Sequence, residues 1–407
     1  MFAPSADPEP TQRTGRARPS GQRGDTLPKV RIDFNSSVRT SLGVEWELEL
    51  VDLDTRQLTA GSNEILAAIS ENGDGEHPKA KHELLQSCVE VITGICQTVA
   101  EARADLAGTV ADVAVAAKDR NIGLMCSGTH PMTDWATQSV TDLPRYHQLM
   151  ERNQWMARQL QIFGVHVHCG VQAPEKAIPI VNALLNYLPH FLALSASSPY
   201  WIGSDTGLAS YRSKVFEALP TAGLPYQLSG WDSFEKYMDA LISSKAIDSI
   251  REVWWDIRPH PNFGTVELRI CDGLPSLDEI TCVAALAQCL VERFNQQLND
   301  GYILPEPHPW LVRENKWRAA RYGLDAEIIT DRAGHVQPVK TALENLVDDL
   351  LPTARRLDCA DELSAIPRLI QRGASYQRQR AVAAANGGDL RPVVDSLLTE
   401  MRDGLDL

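Results

Sequence analysis

The chain has 407 residues, 43% of them hydrophobic and 23% charged, with a formal net charge of −14 at pH 7. This is the composition of a soluble globular protein with enough apolar residues for a large core. The acidic balance argues against non-specific nucleic-acid binding, which uses a basic face, and no apolar run is long enough to span a bilayer.

Residues 1–36 are rich in Pro, Gly, Arg, Ser and Thr and read as a disordered tail without the apolar centre of a signal peptide. Residues 37–407 read as one folded domain. Its first element is Ser41–Leu50, SLGVEWELEL, which alternates with period two. Leu42, Val44, Trp46, Leu48 and Leu50 share one face of a strand, and Gly43, Glu45, Glu47 and Glu49 share the other. Three carboxylates on one face repel one another unless a cation joins them or water solvates them, and both readings stand for this segment alone. Hard oxygen ligands in a row suit magnesium, especially magnesium that also holds phosphates.

His82–Thr93 (HELLQSCVEVIT) reads as a second strand, residues 97–119 as a helix, and Asn121–Ser127 as a short buried strand. Leu143–Leu160 reads as a helix with Pro144 in its first turn. Phe163–Val171 (FGVHVHCGV) is a strand, Ile178–Ser195 an apolar helix, and 200–232 a long irregular connection. Gly264–Cys271 is a strand, Leu277–Leu298 a long helix, and further helices fall near 308–322, 341–357, 361–371 and 389–403. Strands scattered among helices predict an α+β fold, a mixed or antiparallel sheet with helices on one face. Cys88, Cys96, Cys126, Cys169, Cys271, Cys282, Cys289 and Cys359 form no C-x-x-C pair. They read as core residues of a reduced, cytoplasmic protein.

Strand spacing brings further groups to one side. His166 and His168 are two apart, as are Glu267 and Arg269, the latter with Val266, Leu268 and Ile270 opposite. Each pair has an ordinary structural reading, a packed histidine or a salt bridge. Glu83 and Glu90 are seven apart and so lie on opposite faces of a regular strand. They reach one site only if Glu83 precedes the strand or a bulge intervenes. Together, Glu45, Glu47, Glu90, His166, Glu267 and Arg269 carry more charge than one Mg²⁺ needs and fit several Mg²⁺ bridging the phosphates of ATP, with arginine steadying the phosphoryl group. No G-x-x-x-x-G-K-[ST] and no G-x-G-x-x-G after a strand is present, which argues against P-loop, kinase and Rossmann sites.

From about Ser41 to Arg380 the chain resembles the type 2 glutamate–cysteine ligase family, ATP-dependent carboxylate–amine ligases of the glutamine synthetase-like superfamily. The resemblance rests on the order of many segments: LGVEWELELVD, HELLQSCVEVIT, SGTHP, FGVHVHCG, SDTGLASYRS, LPTAGLP, WWDIRPHPNFGTVELRICD, WRAARYGLD and RGASYQRQR. It implies a curved, mainly antiparallel sheet of about six strands with helices behind it. It also implies Glu45, Glu47, Glu83, Glu90, His166 and Glu267 as metal ligands, with Glu267 and Arg269 catalytic and Arg269 on phosphate. His168 either contacts substrate or packs, and Arg212, Arg258, Arg321, Arg372 and Arg378 are candidates for binding substrate or nucleotide. Trp46 departs from the acidic residue expected there in many relatives, but lies on the core-facing side.

The implied reaction joins L-glutamate to L-cysteine or another amine through an acyl-phosphate, releasing ADP and phosphate, with two or more Mg²⁺ and ATP as co-substrate. Members of this branch resemble weak ligases for that pair. The resemblance further implies a homodimer acting on small molecules, with no nucleic-acid or membrane partner. The rivals are a metal-dependent hydrolase using His-x-His with carboxylates, a non-catalytic nucleotide or metabolite sensor, and phosphate transfer to a guanidino group.

Overall fold

The computed structural model describes residues 31–405. Most of the segment read as a tail, residues 1–30, lies outside the described residues. The main sheet has seven strands: β1 (Leu42–Asp52), β2 (Ala80–His82), β3 (Cys88–Ile92), β4 (Ile122–Met125), β5 (Val165–Gly170), β6 (Ile257–His260) and β7 (Thr265–Leu268). They lie in the order β6-β7-β5-β1-β3-β2, with β4 also on β1, and every pairing is antiparallel. β1 is the longest strand and the hub. β5 pairs with its first half, β4 with its last residues, and β3 with its middle.

The period-two alternation of β1 decides which way the sheet faces. Leu42, Val44, Trp46, Leu48 and Leu50 are each at most 1% exposed. They pack with Val165, Val167, Val266 and Leu268 against helices α1 (Val99–Lys118), α2 (Pro174–Leu184), α3 (Leu188–Ser195) and α4 (Leu277–Asn299). The Trp46 indole N–H donates to the Leu274 carbonyl at 3.1 Å, so the large ring is both buried and satisfied. Helix α1 begins with a capping box, the Thr98 hydroxyl taking the Glu101 amide and the Glu101 carboxylate the Thr98 amide. Helix α4 is buried nearly all round from Glu279 to Val291 because neighbours cover it on several sides, among them α1, α2 and helices α5 (Val339–Arg356) and α6 (Ala360–Ser364) of the C-terminal layer.

Several expected elements are divided. His82–Thr93 is a hairpin, since β2 ends at His82 and β3 starts at Cys88, which leaves Glu83 in the connection. The helix expected over 143–160 breaks at Gln154, whose φ is +47°, into Pro144–Asn153 and Trp155–Arg158. The helix expected over 178–195 is the bent pair α2 and α3, at 64° to one another. The connection 200–232 contains three short strands, Tyr200–Trp201, Ser204–Asp205 and Ala222–Gly223, and a short helix, Arg212–Phe216. A helix at Trp231–Ser243 follows that the sequence reading did not place.

Residues 31–36, the end of the segment read as a tail, are held to the body. The Ile32 amide donates to Glu235 at 2.9 Å, the Asn35 amide donates to the Pro261 carbonyl at 3.0 Å, and Phe34 packs edge-on against Trp231. Gly264 makes this docking possible. Its φ is +64°, and any Cβ there would collide with the Asn35 carbonyl. All eight cysteines are buried and free, and no single helix among the described residues is long and apolar enough to cross a membrane.

Candidate active site

The face of β1 turned away from the helices carries the acids, and strand register fixes their neighbours. Residues directly opposite on antiparallel strands share a face. Glu45 stands opposite His166, Glu47 opposite Glu90, Glu267 opposite His168, and Arg258 opposite Glu267. Residues far apart in sequence thus form one contiguous row across β6, β7, β5, β1 and β3. Glu83 approaches from the β2–β3 connection, and its carboxylate accepts the Leu84 amide at 2.8 Å. The odd Glu83–Glu90 spacing is therefore accommodated by a turn, with no bulge required.

Glu45 is the bridge of the row. One oxygen lies 2.8 Å from His166 Nδ1 and the other 3.1 Å from His168 Nε2. Burial would raise its pKa, but the charge of His168 and hydrogen bonds from both histidines hold it well below the carboxylate range. Glu267 is held far below that range as well. The charges of Arg258 and then Arg269 overcome its burial, with Arg258 Nε at 2.7 Å and Arg269 Nη1 on the other oxygen.

The β3 side behaves in the opposite way. Burial, then the charge of Glu83, pushes Glu47 up to about 8. Burial raises Glu83 and Glu90 too, and Glu45, Glu83 and Glu47 add their repulsion at Glu90. Three crowded carboxyls driven toward their neutral forms are a donor set that a divalent cation would neutralise.

His166 supplies a second sign of the same kind. The Glu45 contact assigns its Nδ1 as the donor, which leaves Nε2 as a lone-pair acceptor. Nε2 is buried, has no hydrogen-bond partner among the described residues, and stands 4.0 Å from Glu47 Oε1, too far for a hydrogen bond. Burial, then the charge of Arg269, lowers His166 to about 4, so the ring is neutral and able to ligate. Two groups can each bring three donor atoms within 4.8 Å of one another: Glu45, His166 and Glu267, and Glu47, Glu90 and His166. Mixed carboxylate and imidazole donors around an orphaned nitrogen fit divalent cations.

The candidate arginines divide into two sets. Arg269 reaches Glu267 and keeps a buried, unpartnered Nε. Arg258 is saturated by Glu267 and by the carbonyls of Val253, Arg251 and Ile250. Arg212 is 4% exposed and lies against Gly164, whose amide donates to Glu47 at 2.5 Å. Arg321, Arg372 and Arg378 make none of these contacts. Arg321 donates to the Gly207 carbonyl and stacks on Tyr322. Arg372 and Arg378 both pair with Glu400, and Arg378 also pairs with Glu279.

Sequence reasoning missed Arg145, which donates to the Tyr146 hydroxyl and the His82 carbonyl and whose charge acts on Glu83. It is a single arginine near a helix start with no motif to mark it. Also missed was a cavity of about 740 Å³ at the Leu42 end of β1, beside Glu45 and His168. Val38, Ile95 and Phe263 give it an apolar rim, and Ser36, Thr93 and Asn262 contribute polar groups. His168 turns its Nδ1 to Thr265 at 3.0 Å, and His260 stacks on Phe263 with ring centres 4.2 Å apart.

Comparison with known proteins follows the same lines. A protein of Frankia alni assigned the name glutamate–cysteine ligase 2-1 is 60% identical over 376 residues, covering 92% of this chain and 98% of that one. A Thermobifida fusca protein assigned as glutamate–cysteine ligase 2 is 54% identical, covering 92% and 94%. Among solved structures, the glutamate–cysteine ligase of Francisella tularensis, crystallised with AMP, superimposes with a TM-score of 0.66 at 12% identity, over 92% of this chain and 90% of that one. The bifunctional glutathione synthetase of Pasteurella multocida gives 0.64 at 15% identity, over 90% and 53%. At those identities the likeness concerns the fold. The sequence model described as glutamate-cysteine ligase family 2 matches residues 41–396, and the chain belongs to that family.

Proposed function

We propose that the protein is an ATP-dependent carboxylate–amine ligase, a weak glutamate–cysteine ligase that forms γ-glutamylcysteine or a related γ-glutamyl amide. The observation that carries this reading is the pair of adjoining donor groups sharing His166, with its orphaned Nε2, beside Arg269. Glu45, Glu47, Glu83, Glu90, His166 and Glu267 would hold two or more Mg²⁺. Bound there, the ions supply neutralisation of the phosphate oxygens and of the incoming carboxylate.

The chain's own groups then divide the work. The cavity beside Glu45 and His168 has the size and apolar rim for a nucleoside, and it lies on the sheet face that carries the acids. The Francisella ligase was crystallised with AMP, which agrees with a nucleotide site in this fold. Arg269 stabilises the phosphoryl group in flight and is itself oriented by Glu267. The carboxylate oxygen of glutamate attacks the γ-phosphorus, the β–γ anhydride bond breaks, and ADP leaves. The neutral amine attacks the acyl carbon of the resulting acyl-phosphate, the carbon–oxygen bond breaks, and phosphate departs with the proton that the amine nitrogen loses. The chain carries eight free, buried thiols, and we place the enzyme in the cytoplasm, as a homodimer on the family's pattern.

The test is ADP release that requires both glutamate and an amine, with a panel of amino acids and amines in place of cysteine and the amide detected by mass. Glu45→Ala is expected to lose Mg·ATP binding. Turnover without nucleotide would favour a hydrolase, and nucleotide binding with no coupled product across the panel would favour a sensor. A stable phosphorylated product would favour phosphate transfer. Any of these results removes the ligase reading.

A further inference from the structure

Beyond Arg269 the chain runs through Ile270 and Cys271 to Asp272, a fully buried carboxylate that no step above uses. Its surroundings are unusually complete. One oxygen accepts the Ser197 amide at 3.0 Å and the Ser198 hydroxyl at 2.7 Å, and the other accepts the Ser210 hydroxyl at 2.8 Å. Ser198 in turn takes the Arg212 amide at 3.0 Å. Asp272 thus holds the turn that starts the helix carrying Arg212, and its own charge stands 4.0 Å from Arg212 Nη1. Arg212 extends toward the end of β7. Its guanidinium makes long contacts, 3.4 and 3.3 Å, to the carbonyls of Ile270 and Arg269, and its Nε has no partner. Gly164 leaves room for it, since a Cβ at that position would collide with the guanidinium. Gly128 likewise leaves room for Asp272 and Ser198.

We propose that Asp272 is a positioning residue: through Ser198 and Ser210 it fixes Arg212, and Arg212 in turn sets where Arg269 and Glu47 stand. A buried guanidinium with weak, long hydrogen bonds is not held by them. It is held by its backbone amide on Ser198, which Asp272 fixes, by the Asp272 charge behind it and by the Phe216 ring, 5.7 Å from its guanidinium. Displacement of the brace moves the group that steadies the transferring phosphoryl, and a shift of about 1 Å in such a group costs about 10²-fold in rate. The rate prediction rests on the ligase reading; the positional claim does not.

Asp272→Asn keeps the size and removes the charge and one acceptor. In the full-length protein kcat is expected to fall about 10²-fold, while KM for ATP stays within about twofold, because the cavity at the Leu42 end of β1 is lined by none of Asp272, Ser198, Ser210 and Arg212. Ser210→Ala is the milder variant if Asp272→Asn does not fold, with a fall in kcat of about tenfold. The second readout needs no turnover. In protein labelled with ¹⁵N-arginine, the Arg212 Nε–H resonance, assigned by its absence in Arg212→Lys, is expected to be sharp and slow to exchange in the wild type. In either variant it is expected to shift and to exchange about tenfold faster. An unchanged Arg212 resonance in a folded variant overturns the proposal, and so does a perturbed resonance with kcat unchanged. If the wild type condenses no amine, the ligase reading fails while the resonance still judges the brace.

Discussion

Glu47→Gln offers an unusual combination of outcomes. In the metal-free protein Glu47 titrates at about 8, against an ordinary value of 4.5, so at pH 7 roughly nine molecules in ten carry it protonated. The unfolded chain ionises the same group freely. Keeping it neutral in the fold at pH 7 therefore costs about 3 kcal/mol, at 1.36 kcal/mol for each pH step above 4.5. Glutamine matches the neutral acid in shape. Its oxygen can keep the Gly164 amide, and its NH₂ can face the empty lone pair of His166 Nε2. Glu47→Gln is thus expected to stabilise the metal-free protein at pH 7 by about 1–3 kcal/mol, the upper figure being the whole penalty, while ligation falls by at least about 10²-fold through loss of a metal ligand. Urea unfolding of the metal-free form and coupled ADP release measure the two effects. A variant less stable than wild type at pH 7, or one that retains full activity, refutes the assignment of Glu47 as a strained cation ligand.

The other expectations follow from the same electrostatics. Glu47 is raised, so the stability it lends is present at low pH and is lost as pH climbs from about 4.5 through about 8, and the raised Glu83 and Glu90 add losses of the same sign above the ordinary carboxylate range. Metal-free thermal midpoints should decline across that window and saturating Mg²⁺ should flatten the decline; calorimetry in buffers of different ionisation heat should record proton release on Mg²⁺ binding, and no release counts against the site. Glu45 and Glu267 are lowered, so their contribution is present above the unfolded carboxylate range and is lost on acidification below it. Glu267→Gln leaves Arg258 and Arg269 buried without their anion and should cost about 3–5 kcal/mol in urea unfolding as well as activity. Phe263→Ala, at the cavity rim, should raise KM for ATP several-fold with kcat little changed, and a fall in kcat alone would exclude the cavity as the nucleoside site.

The legible part of the fold was the part governed by local periodicity. The alternation of Ser41–Leu50 placed Trp46 on the core face and the glutamates on the other, and Glu45 and Glu47 stand there, while Glu49 is fully buried with one oxygen taking the Ser127 amide and hydroxyl. Pairing between strands was not legible from spacing. Only the register sets Glu45 beside His166 and Glu267 beside His168. The hairpin at His82–Cys88 was hidden because its turn, ELLQS, lacks Gly, Pro, Asn and Asp and so reads as more strand. The helix at Trp231–Ser243 was obscured by the Gly-, Pro- and Ser-rich stretch leading into it. The arginines were least legible of all. Charge alone does not separate Arg258, saturated by backbone carbonyls, or Arg378, locked between Glu279 and Glu400, from Arg269 with its free Nε.

That no two neighbouring strands in sequence complete the row has a consequence for how the protein is made. Glu45 emerges from the ribosome more than two hundred residues before Glu267. Until β7 is threaded in beside β5, the early acids have no counter-charges from Arg258 and Arg269 and no second half of their cage. A nascent chain can therefore assemble the Glu47–Glu90–His166 group early, but the Glu45–His166–Glu267 group and the cavity wall at Asn262, Phe263 and Thr265 come only with that last step. Such long-range closure is slow, so the end of the row that carries Arg258 and Arg269 is the last to be finished.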